Sequence, residues 1–351
     1  MLKRPSPMLI GSALSIIFAC VLFLPSLPSA QASSGTWQQF TYNGPAGSRP
    51  YFVYTPANYH VGTAVPLVVM LHGCTQNPSD FAAGTQMDAL ADQKQFIVVY
   101  PQQTSTYNAS DCWNWFEPAD QARGSGEPAI IAGITRTVEG STAAWTINTH
   151  RVYVAGLSAG AAMSVIMGAT YPDIFAAIGV HSGLEYKAAT TVQAAFLAQL
   201  HGGPNPMQQG QAAYDAMGSY ARVVPTIVFQ GTSDTTVNPV NGDQVIQQWM
   251  QTDHLASNNL YNASFSSPAS TTNGQVPGGH AYTVYTWNNN NSQEIQEYWK
   301  VFNMGHAWSG GSSSGSFTDP QGPNASLAIY NFFMSHPCAG YIGHLFRNQA
   351  S

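Results

Sequence analysis

Charged side chains are scarce in this chain: they make up 8% of 351 residues, with 11 Lys and Arg against 17 Asp and Glu. Average soluble proteins carry about 25%. No run of Lys and Arg occurs and the formal net charge is −6, so nucleic acid would meet no counter-charge and is not an expected partner. Cysteine is also scarce, at 4 residues, and a chain of this length buries a full core without many disulfide staples. We find no internal repeat, no linker leading to a second domain and no reason to expect a metal or cofactor. The apolar run from about Met8 to Pro25 follows Lys3 and Arg4 and precedes Ala30-Gln31-Ala32, a small-x-small cleavage site. It is too short and wrongly flanked for a membrane span, and reads as a secretory signal. The expected organisation is a signal peptide over residues 1–32, cleaved near Ala32, and one domain over 33–351. That implies an extracellular protein with no membrane anchor, which we expect to be a monomer; Cys20, followed by apolar Val21 to Leu24, fits a lipid-anchor signal poorly. Cys74, Cys112 and Cys338 remain, enough for one disulfide with one cysteine left over.

What fills the chain is an alternation. "RPYFVYTP" (Arg49 to Pro56) predicts an early antiparallel strand, and "PLVVMLHGC" (Pro66 to Cys74) a strand buried on both faces. "FIVVYPQ", "RVYVAG", "FAAIGVHSG" and "PTIVFQGTSD" continue the series. Helical patterns fall between them over 81–93, 129–139, 161–170 and 243–252. Strands interleaved with helices predict an α/β fold with a doubly wound, mostly parallel sheet, whose functional groups gather at the carboxyl ends of the strands. Residues 185–222, rich in Ala, Gln and Gly, could lie over such a site as a cap. Residues 257–293 are polar, and "EIQEYWKVFNMGHAW" after them reads as a late edge strand feeding a loop.

"RVYVAGLSAGAAMSV" (Arg151 to Val165) sets Ser158 between Gly156 and Gly160, after an apolar strand and before an alanine-rich helix. A serine in that tight turn is pushed out at the top of a sheet, the nucleophile elbow of the α/β-hydrolase fold. Such a serine needs a base, an orienting acid and an oxyanion hole, in the chain order Ser, acid, His. Asp234 lies in the loop after "PTIVFQG", where the acid belongs; Asp243 and Asp253 fall on or near a helix, Asp215 in the cap segment, and Asp319 after the histidine loop. His306 sits between a strand-like run and a glycine-rich loop in "NMGHAWSGG", whereas His280 precedes a strand and His336 a proline. Ala159 N–H is one expected oxyanion donor. Cys74 N–H, after "LHG", is the other, with His72 organising the loop. "DCWNWF" (Asp111 to Phe116) packs aromatics beside a cysteine and forms either a satellite core or a pocket wall.

Together "LHGCTQ", "CWNWF", "RVYVAGLSAGAAM", "YPDIFAAIGVHSG", "GTSDTTVNPVN" and "MGHAWSGG" resemble the secreted esterase family that contains poly(3-hydroxybutyrate) depolymerases, with feruloyl and acetylxylan esterases as kin. The resemblance spans roughly Phe40 to Phe333. It implies the same triad, Ser158, Asp234 and His306, with Cys74 and Ala159 as oxyanion donors. It also implies that Trp113, Trp115 and Trp308 line the cleft and hold an ester-linked chain. The expected activity is a serine esterase acting on a polyester or its oligomers, with a feruloyl or acetylxylan esterase on ester-bearing polysaccharide as the alternative. A hydrolase fold kept only for binding would show a broken triad, and here every member is present. We expect a Cys74–Cys112 disulfide tying the oxyanion loop to the aromatic stretch. Many polyester depolymerases add a linker and a polymer-binding domain, and the absence of one here leads us to expect weak attack on crystalline polyester.

Overall fold

The computed structural model describes residue 1 and residues 34–338, so the expected signal peptide and its cleavage site fall outside the described residues. Ten strands form one sheet: β1 (Thr36–Gly44), β2 (Gly47–Thr55), β3 (Val65–Leu71), β4 (Ile97–Pro101), β5 (Ile147–Leu157), β6 (Ile178–His181), β7 (Thr226–Gly231), β8 (Ser270–Gln275), β9 (Ala281–Asn288) and β10 (Glu294–Val301). Their spatial order is β1-β2-β4-β3-β5-β6-β7-β10-β9-β8. The six central strands, β4 to β10 in that order, pair in parallel, and the outer pairs are antiparallel.

The apolar runs read as two-faced strands, and they are. Along β3, Leu67, Val69 and Leu71 enter one core, while Val68 and Met70 enter the other. Along β5, Val152 and Val154 divide in the same way from Tyr153, Ala155 and Leu157. The first face is covered by α3 (Gly126–Gly140), α4 (Ala159–Thr170), α5 (Val192–His201), α6 (Pro206–Met217) and α7 (Val240–Ala256). The second is covered by α1 (Pro78–Thr85), α2 (Met87–Lys94) and α8 (Ala325–Ser335). Each fully buried Leu, Val or Phe contributes up to about 1.5–3 kcal/mol, so both layers are strongly favoured. Two further short strands, β11 (Trp308–Ser309) and β12 (Thr318–Asp319), pair in parallel beyond the main sheet.

Three features differ from the sequence reading. The helix expected over 81–93 is two helices, because Gln86 takes a left-handed conformation (φ 55°) that ends α1 and starts α2. The strand in "EIQEYWKV" is not an edge: β10 pairs with β7 on one side and β9 on the other. The polar segment before it supplies that cover, folding as the β8–β9 hairpin whose outer strand is exposed. The polar start of the domain is itself a strand, β1, paired over its length with β2.

Candidate active site

The candidate nucleophile stands where β5 turns into α4. Leu71 and Gly156 are register partners, as are Leu157 and His181, so the turn rises between the ends of β3 and β6. Its closeness to β3 requires glycine: a β-carbon on Gly160 would lie 2.0 Å from the Leu71 carbonyl oxygen, and one on Gly156 would lie 2.4 Å from Gly160. Between them Ser158 is held at φ 58°, ψ −119°. Non-glycine residues reach that region at a cost of order 1–3 kcal/mol, and such strain is concentrated at functional sites. A serine at a helix N-cap ordinarily accepts a hydrogen bond from the first turn. Ser158 does not cap α4, and its Oγ makes no hydrogen bond among the described residues. The hydroxyl is left available for other chemistry.

Asp234 and His306 meet across the ends of β7 and β10. His306 Nδ1 and Asp234 Oδ2 are 2.8 Å apart. The two loops are joined by backbone as well: Thr232 N–H donates to Val301 C=O (2.9 Å), and Ser233 N–H to Met304 C=O (3.0 Å). Oδ1 of Asp234 accepts from the Thr236 and Val237 amides at 2.9 and 2.8 Å, and Oδ2 also accepts from Gln230 Nε2 at 3.3 Å. Burial alone would raise this carboxyl. The His306 hydrogen bond and charge, with the two amides, outweigh burial and hold it below the usual carboxylate range. An ionised Asp234 accepts from Nδ1–H, so His306 Nε2 carries a lone pair able to accept a proton.

The loop after β3 lies against the serine. A β-carbon on Gly73 would sit 3.5 Å from Ser158 Cβ. His72 organises this loop as the sequence suggested. Its Nε2 accepts from Gln103 N–H (3.1 Å), which places its proton on Nδ1, 2.8 Å from Gly73 C=O. Burial holds the imidazole neutral, pushed down to about 4. Because a trans peptide sets C=O and N–H in opposite directions, fixing the Gly73 carbonyl toward His72 turns the Cys74 N–H away from it. Neither the Cys74 nor the Ala159 amide donates to a partner among the described residues. Cys74 is disulfide-bonded to Cys112, 38 residues on. Among the described residues no cluster of His, Cys, Asp and Glu could hold a metal ion, and no helix is long and apolar enough to cross a membrane.

The tryptophans are buried and do not offer the open faces that the resemblance implied. Trp113, Trp115 and Trp308 are 0%, 3% and 1% exposed, so none presents a face to a chain lying along a cleft rim. Trp113 and Trp308 are struts. Trp113 packs on the His72 ring at 5.7 Å, and Asn114 beside it is gripped by buried Glu127 through both its backbone and side-chain N–H groups. Trp308 stacks on His181 at 5.0 Å and donates to Ser326 Oγ, anchoring the loop that carries His306. His181 was missed in the sequence. Its carbonyl accepts from Ser158 N–H (2.9 Å) and its Nε2 from Ser309 N–H (2.9 Å), linking the serine turn to the histidine loop. The signal was present in "GVHSG", at the end of an apolar strand. Phe317, 44% exposed, stands edge-on to His306 at 6.4 Å, and no local pattern marks it.

The family model for esterase PHB depolymerases matches residues 50–269. The chain belongs to that family. It is similar to poly(3-hydroxyalkanoate) depolymerase C of Paucimonas lemoignei, with 34% identity over 294 residues, 83% of this chain and 66% of the relative. The chain therefore spans slightly less than two thirds of that protein's length. A probable acetylxylan esterase A of Neosartorya fischeri is 31% identical over 78% of this chain and 74% of its own. Among solved structures, the acetyl xylan esterase of Aspergillus awamori superposes with a TM-score of 0.66 at 22% identity, covering 86% of this chain and all of that one. That likeness establishes the α/β-hydrolase fold.

Proposed function

We propose that this esterase-family member hydrolyses carboxylic esters through an acyl-enzyme, with a polyester of hydroxyalkanoate units or its oligomers as substrate. The observation that carries the reading is the 2.8 Å pair of His306 and buried Asp234, in one structure with a strained Ser158 whose hydroxyl caps nothing. Ser158 Oγ attacks the ester carbonyl while His306 Nε2 takes its proton and Asp234 stabilises the imidazolium. The Cys74 and Ala159 N–H groups receive the oxyanion, each such donor being worth about 2.7–4 kcal/mol in the transition state. The alkoxide leaves with the proton from His306. Water, activated by the same histidine, then frees Ser158 and releases the acid. Residues 33–351 act as one catalytic domain, and the disulfide fits export to an oxidising compartment.

The polyester reading draws on the 34% identity to the Paucimonas depolymerase. A second reading, acetyl or feruloyl ester of plant polysaccharide, draws on the acetylxylan esterase relative. Parallel assays of the pure protein on emulsified poly(3-hydroxybutyrate), acetylated xylan and methyl ferulate decide between them. Release of hydroxy acid from the polyester, abolished in Ser158→Ala, is the expected result. Acetate or ferulate release with the polyester untouched would replace it with the second reading.

A further inference from the structure

Helix α5 is apolar on the side that it turns to water. Its inward positions are small, Ala195 and Ala198, both buried, whereas Val192, Phe196, Leu197 and Leu200 are 43%, 64%, 61% and 49% exposed. The spacing i, i+4, i+5, i+8 puts these four on one stripe. A helix that only had to pack would turn the large apolar side chains inward. Met207, 51% exposed at the start of α6, adds to the apolar surface of this segment.

We propose that this stripe is the surface by which the protein settles on an uncharged, apolar polyester; the inference rests on the polyester reading above. Three observations select that occupant. From Ala188 to Tyr214 the chain has no Lys, Arg, Asp or Glu, which suits a neutral partner. A phospholipid surface would call for a Lys or Arg rim, and this segment has none. The helix that carries the stripe is tied to the segment that follows Asp234: the Gln199 carbonyl accepts from Asn238 N–H (2.8 Å) and Asn241 Nδ2 (3.1 Å). A polymer seated on α5 thus rests on a helix hydrogen-bonded to the segment that follows the proposed catalytic acid. Finally, the area is small. Ten residues of helix span ~15 Å with a width of ~10–12 Å, a footprint on the order of 170 Å², whereas a stable dimer buries roughly 800 Å² per partner. Repeated weak contact with an extended surface needs no such area.

The test is adsorption in the absence of turnover. Ser158→Ala protein, and the same protein carrying Phe196→Gln, Leu197→Gln and Leu200→Gln, are depleted from solution onto amorphous film cast from atactic poly(3-hydroxybutyrate). Glutamine keeps helix propensity, and the three positions are exposed. The triple change should weaken adsorption by more than about tenfold, the factor that removing even one such side chain from water supplies. With Ser158 intact, the triple variant should hydrolyse p-nitrophenyl butyrate within about twofold of the parent and film several-fold more slowly. Unchanged adsorption would overturn the proposal, as would equal losses on both substrates. Binding to phosphatidylcholine vesicles as tight as to film would reassign the stripe to lipid. A concentration-dependent dimer in light scattering that the triple change abolishes, with adsorption unaffected, would reassign it to self-association. Failure of the polyester reading itself shows separately, as parent protein with Ser158 intact that leaves film and soluble oligoester uncut.

Discussion

Replacing Asp234 by Asn exchanges one carboxylate oxygen for NH₂, and the structure determines which way the new amide must point. Oδ1 accepts from two backbone amides, Thr236 and Val237, while Oδ2 faces His306 Nδ1 and Gln230 Nε2. If Asn keeps its oxygen on the two amides, its NH₂ faces His306. The imidazole must then accept at Nδ1 and carry its proton on Nε2, where it cannot take one from Ser158. If Asn flips to restore the productive tautomer, its NH₂ faces the two amides and leaves the buried Val237 N–H and the part-buried Thr236 N–H unsatisfied. Each such loss costs about 1–3 kcal/mol, so the flipped state lies roughly 2–6 kcal/mol higher. At 1.36 kcal/mol per decade this is a fall in kcat of about 30- to 25,000-fold. A drop of ~10⁴ is known for the same change in a well-studied serine protease triad. The assay is turnover of p-nitrophenyl butyrate, with thermal unfolding to show that the variant is folded. Turnover within threefold of wild type would refute the assignment and send the search to another carboxylate.

Other consequences are equally direct. Ser158→Gly should be inactive yet more stable, by about 1 kcal/mol or more, because glycine relieves the positive φ; an unchanged or lower unfolding midpoint would contradict the strain. His72→Asn keeps an N–H at the Nδ1 position for Gly73 C=O, whereas His72→Gln moves it to the Nε2 position. Asn should therefore retain more kcat than Gln by about tenfold, at similar KM and stability, and equal kcat in both would remove His72 from the positioning of Cys74. Glu185 is buried, both of its carboxyl oxygens lack a hydrogen-bond partner, and burial pushes its carboxyl up to about 9. The folded state thus holds a proton that the unfolded chain releases above about pH 4.3. Stability tied to this group is complete below that pH and declines by up to about 1.4 kcal/mol per pH unit as pH rises toward the folded value. Glu185→Gln should accordingly stabilise the protein more at pH 8 than at pH 5 in denaturant titrations, and a pH-independent effect would show that the carboxyl is not the cause.

What the sequence could determine was whatever is local or ordered along the chain. The strand, glycine, serine, glycine and helix around Ser158 are contiguous, and a turn that tight has few solutions, so the elbow was legible from fifteen letters. Asp234 and His306 are 72 residues apart, yet each follows a strand end and their order in the chain is restricted, which made both candidates readable; their 2.8 Å contact was not. Burial is a property of the whole packing. Nothing in "CWNWF" or "GHAWSG" says whether an indole faces solvent or a histidine, and the structure turned all three tryptophans inward, Trp113 and Trp308 as struts for the loops around the site. The same limit hid the role of His181, whose two partners come from segments 23 and 128 residues away. It also hid the place of β10, since only the folding of the polar insert into a hairpin decides which strand is outermost. For α5 the local pattern misleads, because small alanines and large apolar residues both read as core. Only the room left against the neighbouring helices decides which of them is covered, and here that room admits alanine and leaves Phe196, Leu197 and Leu200 facing outward.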